Sequence, residues 1–207
     1  MKIGMVYANR WEVPDYLNTK GGLEKTCFEK MGIELVVSGI GIDNARLATA
    51  NLCDTPNLDL VLSIGFCGSL CESIPVGKVI VANRVGYEDR PELFPDISVF
   101  ERELGDCYPG CQQAPIKTSG RAVLSREEIS PDWLVVDMES YGVLEQADKK
   151  GIRSGAIKVA SDVIPKRPYI LGEFGLRCTI LKNFIRTKKI LNLFLMNFLT
   201  NFRNTNI

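Results

Sequence analysis

Apolar positions in this chain gather in short unbroken runs, and the runs alternate with stretches of helical spacing. "KIGMVYA" (residues 2–8), "IELVVSGIG" (33–41), "LDLVLSIGFCGSL" (58–70), "GKVIVANRVGYED" (77–89), "WLVVDME" (133–139) and "SGAIKVASDVI" (154–164) read as strands. "DNARLATANLC" (43–53) and "SYGVLEQADKKG" (140–151) read as helices. In the first, Asp43 or Asn44 is the expected cap; the second stops at Gly151. A last helical region begins at "GEFGLRCTILKNFI" (172–185). Strands that are continuous Val, Ile and Leu are buried on both faces, so the pattern predicts an α/β fold. The expected architecture is a single domain, residues 1–207, with a central, mostly parallel mixed sheet flanked by helices. No repeat or low-complexity linker divides it. Residues 88–117, with four prolines and little pattern, are expected as a long surface excursion.

Charge changes this picture at one end. The chain has 207 residues and no net charge, which gives no reason to expect a nucleic-acid partner. Residues 166–207, however, carry eight Lys and Arg against one acid, Glu173. Within them, 177–203 is predicted as a basic amphipathic helical region. Its run "ILNLFLMNFL" (190–199) is too short to span a bilayer. The plain reading packs that helix on the domain with Lys182, Arg186, Lys188 and Lys189 in water. The sharper one lays it on a membrane surface, and packing is preferred.

Composition also removes chemistries. Histidine is absent, so Ser-His-Asp and Cys-His nucleophile systems are excluded. Acid–base work near neutral pH falls to Asp, Glu, Lys, Cys or Tyr with shifted pKa values. The seven cysteines include two CxxxC pairs, Cys67/Cys71 and Cys107/Cys111, but not the commoner CxxC zinc spacing, and no metal is expected. The opening "MKIGMVYANRWEV" reads as a strand rather than a leader. Free thiols in a reducing cytoplasm are therefore expected.

Acids and small residues collect where strands stop. Asn9, Arg10 and Glu12 follow the first, Gly39 and Gly41 the second, and "GFCGS" (65–69) the third. Met138-Glu139 and Ser161-Asp162 follow later ones. Each has a plain explanation as a cap or tight turn. Together they are what a polar small-molecule site at the carboxyl ends of strands looks like.

Their order and spacing resemble the nucleoside phosphorylase/nucleosidase superfamily, and within it the 5'-methylthioadenosine/S-adenosylhomocysteine nucleosidases. "MKIGMVYANRWEV" resembles the first strand and loop of that group. "VVSGIGIDNARLAT" resembles its "SGIGxxNAA" turn and helix, and "LSIGFCGSL" its "NTGSAGGL" turn. "IPVGKVIVANRVGYED" resembles "GDIVVSDEVxYHD", "VVDMES" resembles "AVEMEA", and "IKVASDV" resembles "VRAISDxAD". The likeness runs in unbroken order from residue 1 to about residue 164.

The resemblance implies the phosphorylase/nucleosidase fold and hydrolysis of the N-glycosidic bond of a purine or 5'-thio purine nucleoside to free base and ribose. No metal or organic cofactor is implied, and a homodimer is. Met138 would pack on the ribose while Glu139 accepts hydrogen bonds from its hydroxyls. Asp162 would protonate N7 of the leaving purine, steadied by Ser161. Glu12 would orient and deprotonate the attacking water. Lys158 stands where the nucleosidases have an Arg. Phe66, Cys67 and Gly68 would line the base and nucleophile pocket.

Phosphorylases of the superfamily bind phosphate with an Arg and a Ser whose positions here are Ser63 and Phe66, so water is preferred as nucleophile. A phosphate-dependent phosphorylase remains an alternative, with Arg10 as its phosphate contact. The chain is short between residues 120 and 132. If "TSGRAVLS" (118–125) matches the family's "SGDAFI", Val123 replaces the aromatic that stacks on the base and Leu124 supplies the backbone partner of the purine. Without histidine, the contact that a neighbouring subunit usually lends is absent or replaced. These departures motivate a third reading, a member that binds a nucleoside without turning it over.

Overall fold

Strand β3 (Leu60–Ser69) is the hub on which the other strands converge. The computed structural model of the chain describes residues 2–14, 32–96, 110–168 and 172–205. Along its first part β3 pairs in parallel with β1 (Ile3–Tyr7) on one side and β7 (Arg153–Val163) on the other. Its last residues, Gly68 and Ser69, turn to pair antiparallel with β6 (Val135–Asp137). β6 continues to β5 (Cys111–Thr118), β5 to β4 (Val79–Tyr87), and β4 returns antiparallel to β7. Five strands thus close into a circuit, while β1 and the edge strand β2 (Ile33–Val37) extend the sheet beyond it. The expected α/β domain with a mixed, mostly parallel sheet is observed.

Period-two alternation divides the side chains between two layers. Ile3, Met5 and Tyr7 of β1, Leu60, Leu62 and Ile64 of β3, and Ile157 and Val159 of β7 face one side. There they meet Leu191, Phe194, Leu195 and Phe198 of α3 (Gly172–Thr205). Val6, Val61, Ala156 and Ala160 face the other side, under α1 (Ile42–Leu52) and α2 (Ser140–Lys149). The two helices cross closely because Gly142 has no Cβ: one built there would stand 2.7 Å from the Ile42 carbonyl oxygen.

The apolar run 190–199 therefore packs inward, as its plain reading required. Lys182, Arg186 and Lys189 are exposed, and Lys188 is half-buried. No helix among the described residues is long and apolar enough to cross a membrane. Gly151 ends the turn after α2 with φ 66°, the left-handed stop its sequence predicted.

Three expectations need correction. The excursion expected over 88–117 contains most of β5. Its Gln, Lys and Pro residues hid the strand, and Pro115 is tolerated because it sits where a bulge shifts the β4 register between Ala82 and Arg84. Residues 97–109, including Cys107, lie outside the described residues. Neither Asp43 nor Asn44 caps α1. Its N-cap is Gly41 at φ 100°, Asn44 Nδ2 donates to the Ile40 carbonyl, and Asp43 pairs with Arg46. Finally, "GFCGS" and "SD" do not follow their strands but lie within them. β3 and β7 run on past a register shift at Cys67/Gly68, so that Gly68 pairs with Asp162.

Because Phe194 is fully buried against the sheet, Phe194→Ala should cost about 3–5 kcal/mol. Urea unfolding reads this as a lower midpoint; an unchanged midpoint would mean that α3 does not contribute to the core.

Candidate active site

The site grows from a backbone register. Gly65 of β3 lies beside Lys158 of β7, and the loop after β1 folds back over Gly65. A Cβ on Gly65 would lie 2.9–3.1 Å from all three atoms of the Glu12 carboxyl group, so glycine is needed for that carboxylate to reach the strand. Glu12 Oε2 accepts hydrogen bonds from the amides of Ala8 at 3.1 Å and Asn9 at 3.2 Å. Glu12 itself is buried.

The end of β6 and the start of α2 supply the next two carboxylates. Glu139 Oε1 accepts the Gly41 amide at 2.8 Å. Glu139 occupies the N-cap position of α2 but makes no side-chain cap; its carboxylate reaches across to the α1 N-terminus instead. Capping falls to Asp137, whose Oδ2 accepts the Ser140 amide at 3.0 Å and the Ser140 hydroxyl. Asp137 Oδ1 accepts from Thr118 Oγ1 at 2.8 Å. Asp137 Oδ2 also lies 3.0 Å from the Lys158 ammonium, with both side chains essentially inaccessible.

Electrostatics at the cluster follow from burial. Desolvation raises the Glu12 carboxyl to about 7; Lys158 opposes this, Glu139 adds to it, and the Asn9 and Phe66 amides also pull it down. Desolvation likewise raises Glu139, with Lys158 opposing and Asp137 adding. Burial alone would lower the Lys158 ammonium, but Asp137, Glu139 and Glu12 outweigh it and hold the group above its ordinary value.

On the adjoining stretch of β7, Asp162 is buried and its Oδ1 accepts from Ser161 Oγ at 2.8 Å. The same hydroxyl lies 3.2 Å from the Cys67 carbonyl. Burial pushes the Cys67 thiol far up, so it is inert as a thiolate. Helix α3 closes this side: Asn183 Nδ2 donates to the Ser161 carbonyl at 2.8 Å. Phe184 meets both Phe66 and Trp11 edge-on, at 5.9 and 6.3 Å.

Glu12, Glu139, Lys158, Ser161, Asp162, Phe66, Cys67 and Gly68 therefore gather at one end of the β3–β7 pair, with Met138 half-buried between Asp137 and Glu139. Val123 and Leu124 behave differently. Val123 is buried in a satellite core with Leu70, Trp133, Val136 and Ile164, and so has no open face for a base to stack on. The Leu124 amide donates to Glu128 Oε1 at 3.0 Å, as part of a capping arrangement around the short 3-10 turn Arg126–Glu128. Lys158, expected beside a ligand, is instead 1% exposed among carboxylates.

Sequence reasoning missed Asp137, the Gly41 amide and Phe184. Asp137 stood in view beside the Met-Glu pair, but nothing local to it pointed at Lys158. Two surface concavities, of about 380 and 440 Å³, lie apart from the carboxylate cluster, one against α1 and one beside Trp133 and Arg126. Neither offers a comparable set of titratable groups. Among the described residues, Cys53, Cys67, Cys71, Cys111 and Cys178 are free, and no three His, Cys, Asp or Glu side chains converge as a metal site would require.

The family model of the phosphorylase superfamily matches residues 21–126, about half of the chain. A 5'-methylthioadenosine/S-adenosylhomocysteine nucleosidase of Listeria welshimeri is 31% identical over 137 residues, covering 61% of this chain and 55% of that protein. The chain thus spans about half the length of the curated relatives it matches. In fold it is similar to the S. pneumoniae 5'-methylthioadenosine/S-adenosylhomocysteine nucleosidase solved with a transition-state inhibitor. The TM-score is 0.76 at 18% identity, covering 98% of this chain and 100% of that one. It is similar also to futalosine hydrolase of Helicobacter pylori, with a TM-score of 0.74 at 16% identity and 97% of each chain covered.

The raised Glu12 pKa has a consequence for stability. The folded protein holds this proton more tightly than the unfolded chain, whose carboxyl titrates near 4.5. Between pH 4.5 and 7 the folded state therefore binds extra protons, and stability declines as pH rises. Above pH 7 the full cost of a buried Glu12 anion remains, about 3 kcal/mol. Glu12→Gln keeps an acceptor for the two amides and removes the charge. It should be more stable than wild type above pH 7, with the gap closing toward pH 4.5. Thermal melts across that range read the difference; a gap independent of pH contradicts the assignment.

Proposed function

The chain belongs to the phosphorylase superfamily, and from that premise we propose that it hydrolyses the N-glycosidic bond of a purine nucleoside, of the 5'-thio kind represented by methylthioadenosine and adenosylhomocysteine. The products are the free base and the sugar. The observation that carries the reading is the Glu12 carboxylate. It is fixed by two amides, buried, and raised to about 7, the value a general base needs to work near neutral pH.

The chemistry assigns one task to each group. Glu139 accepts hydrogen bonds from the ribose hydroxyls, and Met138 packs on the sugar. As the bond from the anomeric carbon to the base breaks, its electron pair goes to the purine and Asp162 delivers a proton to N7. Ser161, hydrogen-bonded to Asp162 Oδ1, sets the direction of that carboxyl. Water adds to the anomeric carbon and gives its proton to Glu12. Acid and base thus act on opposite partners of the cleaved bond, as in glycoside hydrolysis.

Water is favoured over phosphate by charge. A dianion placed beside Glu12 would meet two glutamates and only one buried ammonium, already paired with Asp137. The Arg10 side chain is exposed, and Ser63 is buried with its hydroxyl 3.4 Å from that of Ser140.

A second reading, binding without turnover, is favoured by one observation: the Leu124 amide is committed to Glu128 and Val123 to the core, which alters the side where the base would be recognised. As a partner we propose a second copy of the chain, for which exposed Val37, Ile40 and Leu47 beside and on α1 provide an apolar surface. Light scattering reads it, and a monomer at micromolar concentration refutes it.

Purified protein should release free base from methylthioadenosine or adenosylhomocysteine without phosphate. Asp162→Asn should lose turnover by two orders of magnitude or more while still binding the nucleoside. Release only with phosphate moves the reading to a phosphorylase. Tight binding without product supports the second reading, and full activity of Asp162→Asn refutes the assigned acid.

A further inference from the structure

The site contains one cation and too many anions, and its wiring decides which anion is neutralised. Three carboxyl groups surround the Lys158 ammonium of β7: Asp137 from the end of β6, Glu139 from the start of α2 and Glu12 from the loop after β1. Asp162 of β7 and the Cys67 thiol of β3 complete the titratable surroundings. The described ion pair of Lys158 is with Asp137, at 3.0 Å.

Asp137 is held for this task. Four donors converge on its two oxygens: Thr118 Oγ1, the Ser140 amide, the Ser140 hydroxyl and the Lys158 ammonium. The direction of the Thr118 bond is fixed, because Thr118 Oγ1 accepts the Tyr141 amide at 2.9 Å and so keeps its hydrogen for Asp137. A carboxylate that receives four donors is an acceptor only. The proposed reaction gives Asp137 no bond to water or base, and its four donors are all groups of the chain, so it acts through Lys158.

We infer that Asp137 is a positioning residue that takes up the charge of Lys158 and thereby leaves Glu12 without a full counter-ion, which keeps Glu12 a base. The role deepens the proposed hydrolysis and rests on that reading. Were Lys158 turned to Glu12 instead, the ammonium would stabilise the Glu12 anion and weaken it as a proton acceptor for water. The arrangement spends the one cation on an acid with no proton to transfer.

The test needs no substrate. Protein carrying glutamate labelled with carbon-13 at the carboxyl is titrated by NMR, and the Glu12 signal is identified by its loss in Glu12→Gln. In Asp137→Asn the Glu12 midpoint should fall by about one pH unit, a tenfold weaker hold on its proton. The acid limb of kcat/KM should fall with it, and kcat should drop because the base is weaker. A midpoint that stays put or rises overturns the inference. The double variant Asp137→Asn/Lys158→Gln replaces the ion pair by a neutral one that a buried site tolerates better. Its Glu12 midpoint should rise by no more than about a few tenths of a unit, the part of the Lys158 attraction that Asp137 leaves uncancelled. A rise of about one unit there would mean that Lys158 serves Glu12 directly, and would overturn the inference even if the single variant fails to fold. Failure of the proposed function is distinguishable: the midpoints would move as stated while no nucleoside is cleaved.

Discussion

The ion pair between Lys158 and Asp137 is the constraint around which this molecule is arranged. Both side chains are removed from water, and burying such a pair does not by itself stabilise a fold, because desolvation offsets the attraction. Only a surrounding that satisfies every remaining polar atom makes it tolerable. That surrounding is drawn from β5, β6, α2 and β7: Thr118, Asp137, Ser140 and Lys158. Elements remote in sequence are thus tied by one polar knot at the place where the strands of the closed circuit come together. The low dielectric that makes the knot costly also magnifies its influence on the carboxylates beside it.

The register of β3 against β7 converts this knot into a site. Lys158 and Gly65 are cross-strand neighbours, and Gly68 and Asp162 are as well. The shift at Cys67/Gly68 changes the pairing between those two points, so the cation and the proposed acid hold distinct places along one strand pair. A slip of one residue would exchange the two faces. Lys158 would then enter the layer filled by Ile157, Val159 and the α3 phenylalanines. The apolar alternation of β7 therefore enforces the position of its one buried cation.

The same logic explains what could be read from the chain beforehand. Central strands announced themselves as runs of Val, Ile and Leu, and the glycine stop at Gly151 and the acids near strand ends stood out in the local pattern. β5 did not, because Gln112, Gln113, Pro115 and Lys117 interrupt it, and its strand character comes from pairing with β4 and β6. Glu12, Glu139 and Asp162 were singled out by ordered resemblance, whereas Asp137 was visible but had no legible partner. Its partner lies 21 residues on in another strand, and only the closed circuit brings them together. Caps failed for a similar reason: Gly41 serves α1 because its amide is needed by Glu139, a residue 98 positions away.

The two halves of the site differ in how firmly they are built. Around Lys158 each carboxylate is fixed by backbone amides or hydroxyls. Where the resemblance would put the base, the short segment after β5 is turned inward. Val123 fills the satellite core with Trp133 and Ile164, while Glu128 takes the amides of both Leu124 and Ser125. Desolvation would raise the Glu128 carboxyl, but those two amides and Arg121 outweigh it and hold the group below its ordinary pKa. A base entering here would have to displace a charge-assisted hydrogen bond to reach the Leu124 amide, which is worth more than the neutral one it could offer in return. For the proposed nucleoside, selectivity would therefore rest on the sugar and its 5' substituent more than on the edge of the purine.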